Sequence, residues 1–136
     1  MKQFFLLVYT CLLVTVLQAQ INPGVVSYSF RDAFAKDVPG TLDAVKAMGI
    51  TDIEFSSLFG KTAAELRALL DERGLTCSSY GVSYQDLTGK TDEVGQTAKT
   101  LGASYVRVAW IPLDSTGCSE AVALKAAADF NKAGAL

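Results

Sequence analysis

The residue types that could do chemistry in this chain are few, and one is missing altogether. None of the 136 residues is histidine. That excludes Ser-His-Asp and Cys-His nucleophilic catalysis within the chain. It also removes the commonest ligand for zinc and related metals. A metal bound here would need carboxylates or thiolates alone. The three cysteines, Cys11, Cys77 and Cys118, form no C-x-x-C pair, so zinc-ribbon and thioredoxin-like chemistry have no support. Pairing of Cys77 with Cys118 needs an oxidising compartment and suitable geometry. The plainer expectation is one buried strand thiol and one loop thiol. Gly60-Lys61-Thr62 mimics the tail of a phosphate-binding loop, but that loop needs Gly at position 55, where Phe55 stands. A loop followed by a helix cap explains the three residues.

Composition narrows the class further. Half of the residues are hydrophobic and 19% are charged, which is globular rather than disordered or fibrous. Net charge is -2, and no basic stripe interleaves with aromatics, so nucleic acid is not an expected partner. Met1 to Ala19 reads as an export signal: Lys2 supplies a basic start and Phe4–Leu17 is a nearly unbroken apolar run. That run is shorter than the roughly 20 residues that span a membrane. Leu17-Gln18-Ala19 offers a small residue just before the cut. Thr10 before Cys11 is a poor lipoprotein context. Removal of 19 of the 136 residues leaves 117, starting at Gln20. The expected organisation is a signal peptide over 1–19 and one domain over 20–136. The mature product is expected to be secreted or periplasmic, with no membrane contact after cleavage. The competing expectation is a retained N-terminal anchor.

The elements that must position any site come next. Val25–Phe30 predicts a first strand. Asp37–Met48 predicts a helix, with Asp37 as cap, Pro39 in the first turn, Leu42, Val45 and Met48 on one face, and Gly49 as stop. Thr51–Phe55 is the second strand. Thr62 opens a second helix with Glu65 three residues on, a capping box. Leu66, Leu69 and Leu70 stripe it, and Arg73 and Gly74 end it. Leu75–Tyr80 is the third strand. Thr91 is expected to cap a third helix with Val94, Ala98 and Leu101 inward and Gly102 as stop. Ser104–Ala109 is the fourth strand, and Ser119-Glu120 begins a fourth helix. Strand starts at 25, 51, 75 and 104 repeat at intervals of 26, 24 and 29 residues. Such alternation requires a parallel sheet with right-handed crossovers. A doubly wound sheet and a barrel both satisfy it. No Gly-x-Gly-x-x-Gly follows the first strand, which weakens a dinucleotide-binding fold.

Three stretches resemble the sugar phosphate isomerase/epimerase family, the xylose isomerase-like TIM barrels. They are Val26–Asp32 (VSYSFRD), Met48–Leu75 (MGITDIEFSSLFGKTAAELRALLDERGL) and Leu101–Pro112 (LGASYVRVAWIP). Their order and spacing cover most of residues 25 to 133. The resemblance implies an α/β fold made of parallel (β/α) units of a TIM barrel, about four of eight. A complete barrel needs about 250 residues, so the mature chain corresponds to an N-terminal half. The family's site lies at the C-terminal strand ends. It holds a divalent metal, Mn2+ or Mg2+, mainly through Glu, Asp and His of later strands. Related sequences often place His at the end of the third strand, where this chain has Tyr80. No metal or other cofactor is therefore expected in this chain alone.

If the barrel holds, the tentative substrate-binding residues are Tyr28 and Arg31 after strand one, Glu54 on strand two, Tyr80 on strand three and Trp110 on strand four. Phe30 and Ser56 lie at neighbouring strand ends. Glu54 could orient a sugar hydroxyl or support a metal ligand. Equally, it could be a buried carboxylate satisfied by Arg107. Arg31 could hold an anionic or polyol substrate or pair with Asp32 or Asp37. Trp110 could wall a sugar ring or simply pack. Tyr84 is a rim residue with no stronger claim, and no proton-transfer base is identified. The implied family reaction is metal-dependent proton transfer next to a carbonyl of a sugar or polyol. This chain alone is expected to be inactive. The alternatives are a non-catalytic half barrel that pairs with itself as a homodimer or with a separate second half, and a truncated reading frame.

Overall fold

The structure is a computed structural model that describes residues 23–135. The expected signal peptide, its cleavage site and Cys11 lie outside the described residues. Four strands carry the fold: β1 (Gly24–Val26), β2 (Asp52–Phe55), β3 (Thr76–Val82) and β4 (Tyr105–Val108). Among the described residues, five helices lie between them, α1 (Arg31–Phe34), α2 (Val38–Ala47), α3 (Ala63–Arg73), α4 (Tyr84–Gly89) and α5 (Thr91–Leu101), and a sixth, α6 (Glu120–Gly134), follows β4.

The strands lie in the order β1-β2-β3-β4, and every neighbouring pair is parallel. This order decides the architecture. Each crossover steps one strand in the same direction. Right-handed crossovers that never reverse direction place every helix on the same face. A doubly wound sheet needs a reversal of strand order, and there is none. Packing agrees. Ile53 and Phe55 of β2 are buried in one cluster with Leu42 and Val45 of α2, Leu66 and Leu70 of α3, and Leu101 of α5. Phe34 of α1 stacks on Phe59 and meets Phe55 edge-on, with ring centroids 5.0 and 6.0 Å apart. The opposite face carries Val26, Glu54, Ser79 and Arg107, none of them buried. The fold is half of a (β/α)8 barrel, and that uncovered face is its interior.

Local sequence explains most element boundaries. Asp37 accepts the Gly40 N–H at 3.0 Å and starts α2. Thr62 and Glu65 form the full capping box of α3, and Gly74 ends that helix at φ 63°. Ser119 caps α6.

Several boundaries differ from the sequence expectation. The first strand ends at Val26, and Ser27–Phe30 turn into a 3-10 helix. The fully buried Ser27 hydroxyl draws the chain inward to bond Ser56. The third strand runs on to Val82, so Tyr80 sits within it rather than at its end. Met48 is exposed at the end of α2 instead of joining its inner face. Thr91 does not cap α5. The unforeseen helix α4, capped by Ser83, runs directly into α5, so Lys90 takes the cap position without a side-chain bond. The Thr91 hydroxyl instead donates back to the Leu87 carbonyl at 2.7 Å. Cys77 is buried and Cys118 exposed, as expected.

Candidate functional site

The C-terminal ends of the four strands open into a cleft of about 860 Å³. Ligand sites of β/α barrels form at this end, where the loops leave the strands. Four connections build the walls. The turn after β1 brings Tyr28, the loop after β2 brings Ser56 and Ser57, and α4 and α5 bring Asp86, Lys90 and Glu93. Trp110 arrives just past β4. The first two connections are tied together below the surface: the Ser56 N–H donates to the Ser27 hydroxyl at 2.9 Å, and the two hydroxyls lie 3.0 Å apart. This pair fixes the strand-two loop against the end of β1.

The most chemically pointed feature is an ion pair across the interior face. Glu54 on β2 reaches Arg107 on β4, passing over β3. Arg107 Nε donates to Glu54 Oε1 at 2.6 Å, and Nη2 lies 2.5 Å from the same oxygen. The Glu54 side chain is 13% exposed and that of Arg107 is 43% exposed. Gly81 is the β3 partner of Arg107 in the sheet register. A Cβ at that position would stand 3.6 Å from Glu54 Oε1, in ordinary van der Waals contact with the carboxylate. The hydrogen bond from Arg107 to Glu54 raises the guanidinium above its ordinary value, so it stays charged.

Tyr80 lines the cleft, and burial raises its phenol, assisted by the negative charges of Asp86 and Glu93. It remains a neutral hydroxyl that can donate or accept. Trp110 is 85% exposed, a large flat apolar surface with no packing role.

Of the five residues singled out from the sequence, Tyr28, Tyr80 and Trp110 line the cleft, while Glu54 does not line it and reaches it only through its contact with Arg107, which does. Arg31 does not line it. Its guanidinium lies over the Tyr28 ring, 4.7 Å from the centroid, and approaches Asp32 at 4.0 Å. Tyr84 leaves the rim as well. It is buried against α6, where its hydroxyl bonds Asp129 and its ring meets Phe130 edge-on. Lys90 was not foreseen, because the helix junction that presents it was not foreseen. Ser57 gave no signal beyond its position in a loop.

Among the described residues, no three His, Cys, Asp or Glu side chains gather around one point. Glu54 is already paired with the Arg107 guanidinium, and among the described residues no further carboxylates join it to make a ligand set. The described residues do not fit a divalent metal.

No family model and no curated protein matches the chain. Among solved structures, it is similar to a sugar phosphate isomerase/epimerase from Parabacteroides distasonis, with a TM-score of 0.65 and 22% identity. The likeness covers 86% of this chain and 48% of that one. The chain thus spans about half the length of the solved structure that it matches, and over that half the two share the same fold.

Proposed function

We propose that the strand-end cleft is part of a sugar or polyol site in a protein of the isomerase/epimerase kind, and that the protein acts after export. One observation carries this: Arg107, held by Glu54, and the bare Trp110 ring line a single cleft at the strand ends. Sugars offer alternating hydroxyls and apolar C–H faces, and sites for them combine charged hydrogen-bonding groups with an aromatic wall. The likeness to a solved isomerase/epimerase supports the same reading.

The reaction of such a protein removes a proton beside a carbonyl and returns it. The roles proposed for this chain are binding and orientation. Glu54 and Arg107 hold hydroxyls, Tyr80 offers a neutral phenol, and Trp110 shields one sugar face. No base is assigned, and the chain alone binds without turnover.

The test uses the single tryptophan of the sequence, Trp110, as its reporter. Titration with a ketose should give a saturable change in its emission. A flat response up to high sugar concentration would remove the sugar site, and ketose turnover by the purified chain would overturn the proposed inactivity.

A second reading is a homodimer, favoured by the open edges of the sheet. Among the described residues, only β2 pairs with β1, and only β3 pairs with β4. Beside β4, a groove of about 440 Å³ is lined by Leu87, Val94, Val106, Val108 and Phe130. Open edges with apolar flanks favour strand pairing. Size-exclusion chromatography with light scattering should then report twice the chain mass, whereas a stable monomer at high concentration removes the dimer.

A further inference from the structure

The charges inside the cleft bear on which sugars it admits. Two cations line it, Arg107 and Lys90. Each already faces an anion. Both Arg107 contacts go to Glu54 Oε1. Lys90 Nζ stands 3.8 Å from Asp86 Oδ1, one helical turn away. Glu93 adds an exposed carboxylate to the same wall. The lining thus carries two negative and two positive charges, and Glu54, paired with Arg107 just behind it, adds a third negative one. A phosphate ester brings close to two further negative charges. To gain a cation here it would have to separate an existing ion pair and lie beside the carboxylates left behind.

An uncharged polyol meets no such obstacle. Among the described residues, Glu54 Oε2 accepts no hydrogen bond and Arg107 Nη1 donates none. The ion pair therefore keeps one carboxylate oxygen and one guanidinium edge for ligand. Two hydroxyls on adjacent carbons suit this arrangement: one donates to the carboxylate while its neighbour accepts from the guanidinium.

Resting on the sugar-site reading above, we propose that this side of the cleft selects an uncharged polyol over its phosphate ester, with the Glu54–Arg107 pair as the group that reads a vicinal diol. The preference follows from charge balance rather than from size, since the cleft is roomy enough for either ligand.

The experiment titrates the chain with fructose and with fructose 6-phosphate at equal ionic strength, following Trp110 emission. The neutral sugar should bind at least about tenfold more tightly, the weight of one hydrogen bond to a charged group. Glu54→Gln keeps the shape but removes the anion and leaves Arg107 unpaired. That variant should lose affinity for fructose and narrow or reverse the preference by about tenfold. Tighter binding of the phosphate ester by the wild-type chain would overturn the inference and leave the sugar site standing. Silence towards both ligands would overturn both. A folded Glu54→Gln chain with the wild-type preference would overturn the role of the pair. If that variant fails to fold, the wild-type comparison still decides the preference, and Arg107→Gln tests the pair by loss of fructose affinity.

Discussion

Glu54 shows how a single residue can be legible in type and still need the fold for its meaning. The sequence offers a carboxylate between two strand hydrophobes and one plausible cation, Arg107, 53 positions later. The sheet brings them together, because β2 and β4 flank β3. Tyr84 went the other way. Its position after a strand suggested a rim, but α4 turns the ring toward α6. There, Asp129 sits 2.6 Å from the Lys125 ammonium and also accepts the Tyr84 hydroxyl. The ammonium first, and the phenol second, hold that carboxyl below its ordinary value of 3.8. A lowered pKa in the folded state stabilises the fold fully above the unfolded value and is lost as pH falls through the folded one. Thermal stability should therefore drop as pH is taken below about 4, and Asp129→Asn should flatten part of that drop. An identical slope in wild type and variant would show that the Asp129 contacts add nothing.

At the scale of elements, the sequence was clearest where a polar cap, an apolar stripe and a terminal glycine coincide. Helix α3 has all three, and Thr62, Glu65, Leu66, Leu70 and Gly74 occupy the expected positions. Thr62→Ala removes the cap and should lower stability by about 1 kcal/mol, read by denaturant unfolding. An unchanged midpoint would mean that the capping box is not maintained in solution. The misses have a shared physical cause. Short elements decided by a long-range bond leave no periodic trace. The end of β1 is set by Ser27 meeting Ser56, 29 residues away. Helix α4 is six residues long, too short for an amphipathic stripe, and its presence displaced the expected cap at Thr91. The helix junction at Lys90, and with it one wall of the cleft, was invisible for the same reason.

For the molecule as a whole, strand spacing alone left a barrel and a doubly wound sheet open. Strand order resolves the choice: consecutive strands with uniform crossovers leave one face bare. That bare face has a functional consequence. A polar interior row ending in a cleft gives ligands an approach that a sheet covered on both faces would deny. The central claim is that small polyols dock at the C-terminal strand ends, against the interior face. Amide chemical-shift mapping during a fructose titration tests it most directly. The account predicts shifts confined to the residues around Ser56, Gly81, Arg107 and Trp110. Shifts clustered in the groove beside α6, at the opposite ends of the strands, or nowhere at all would contradict it.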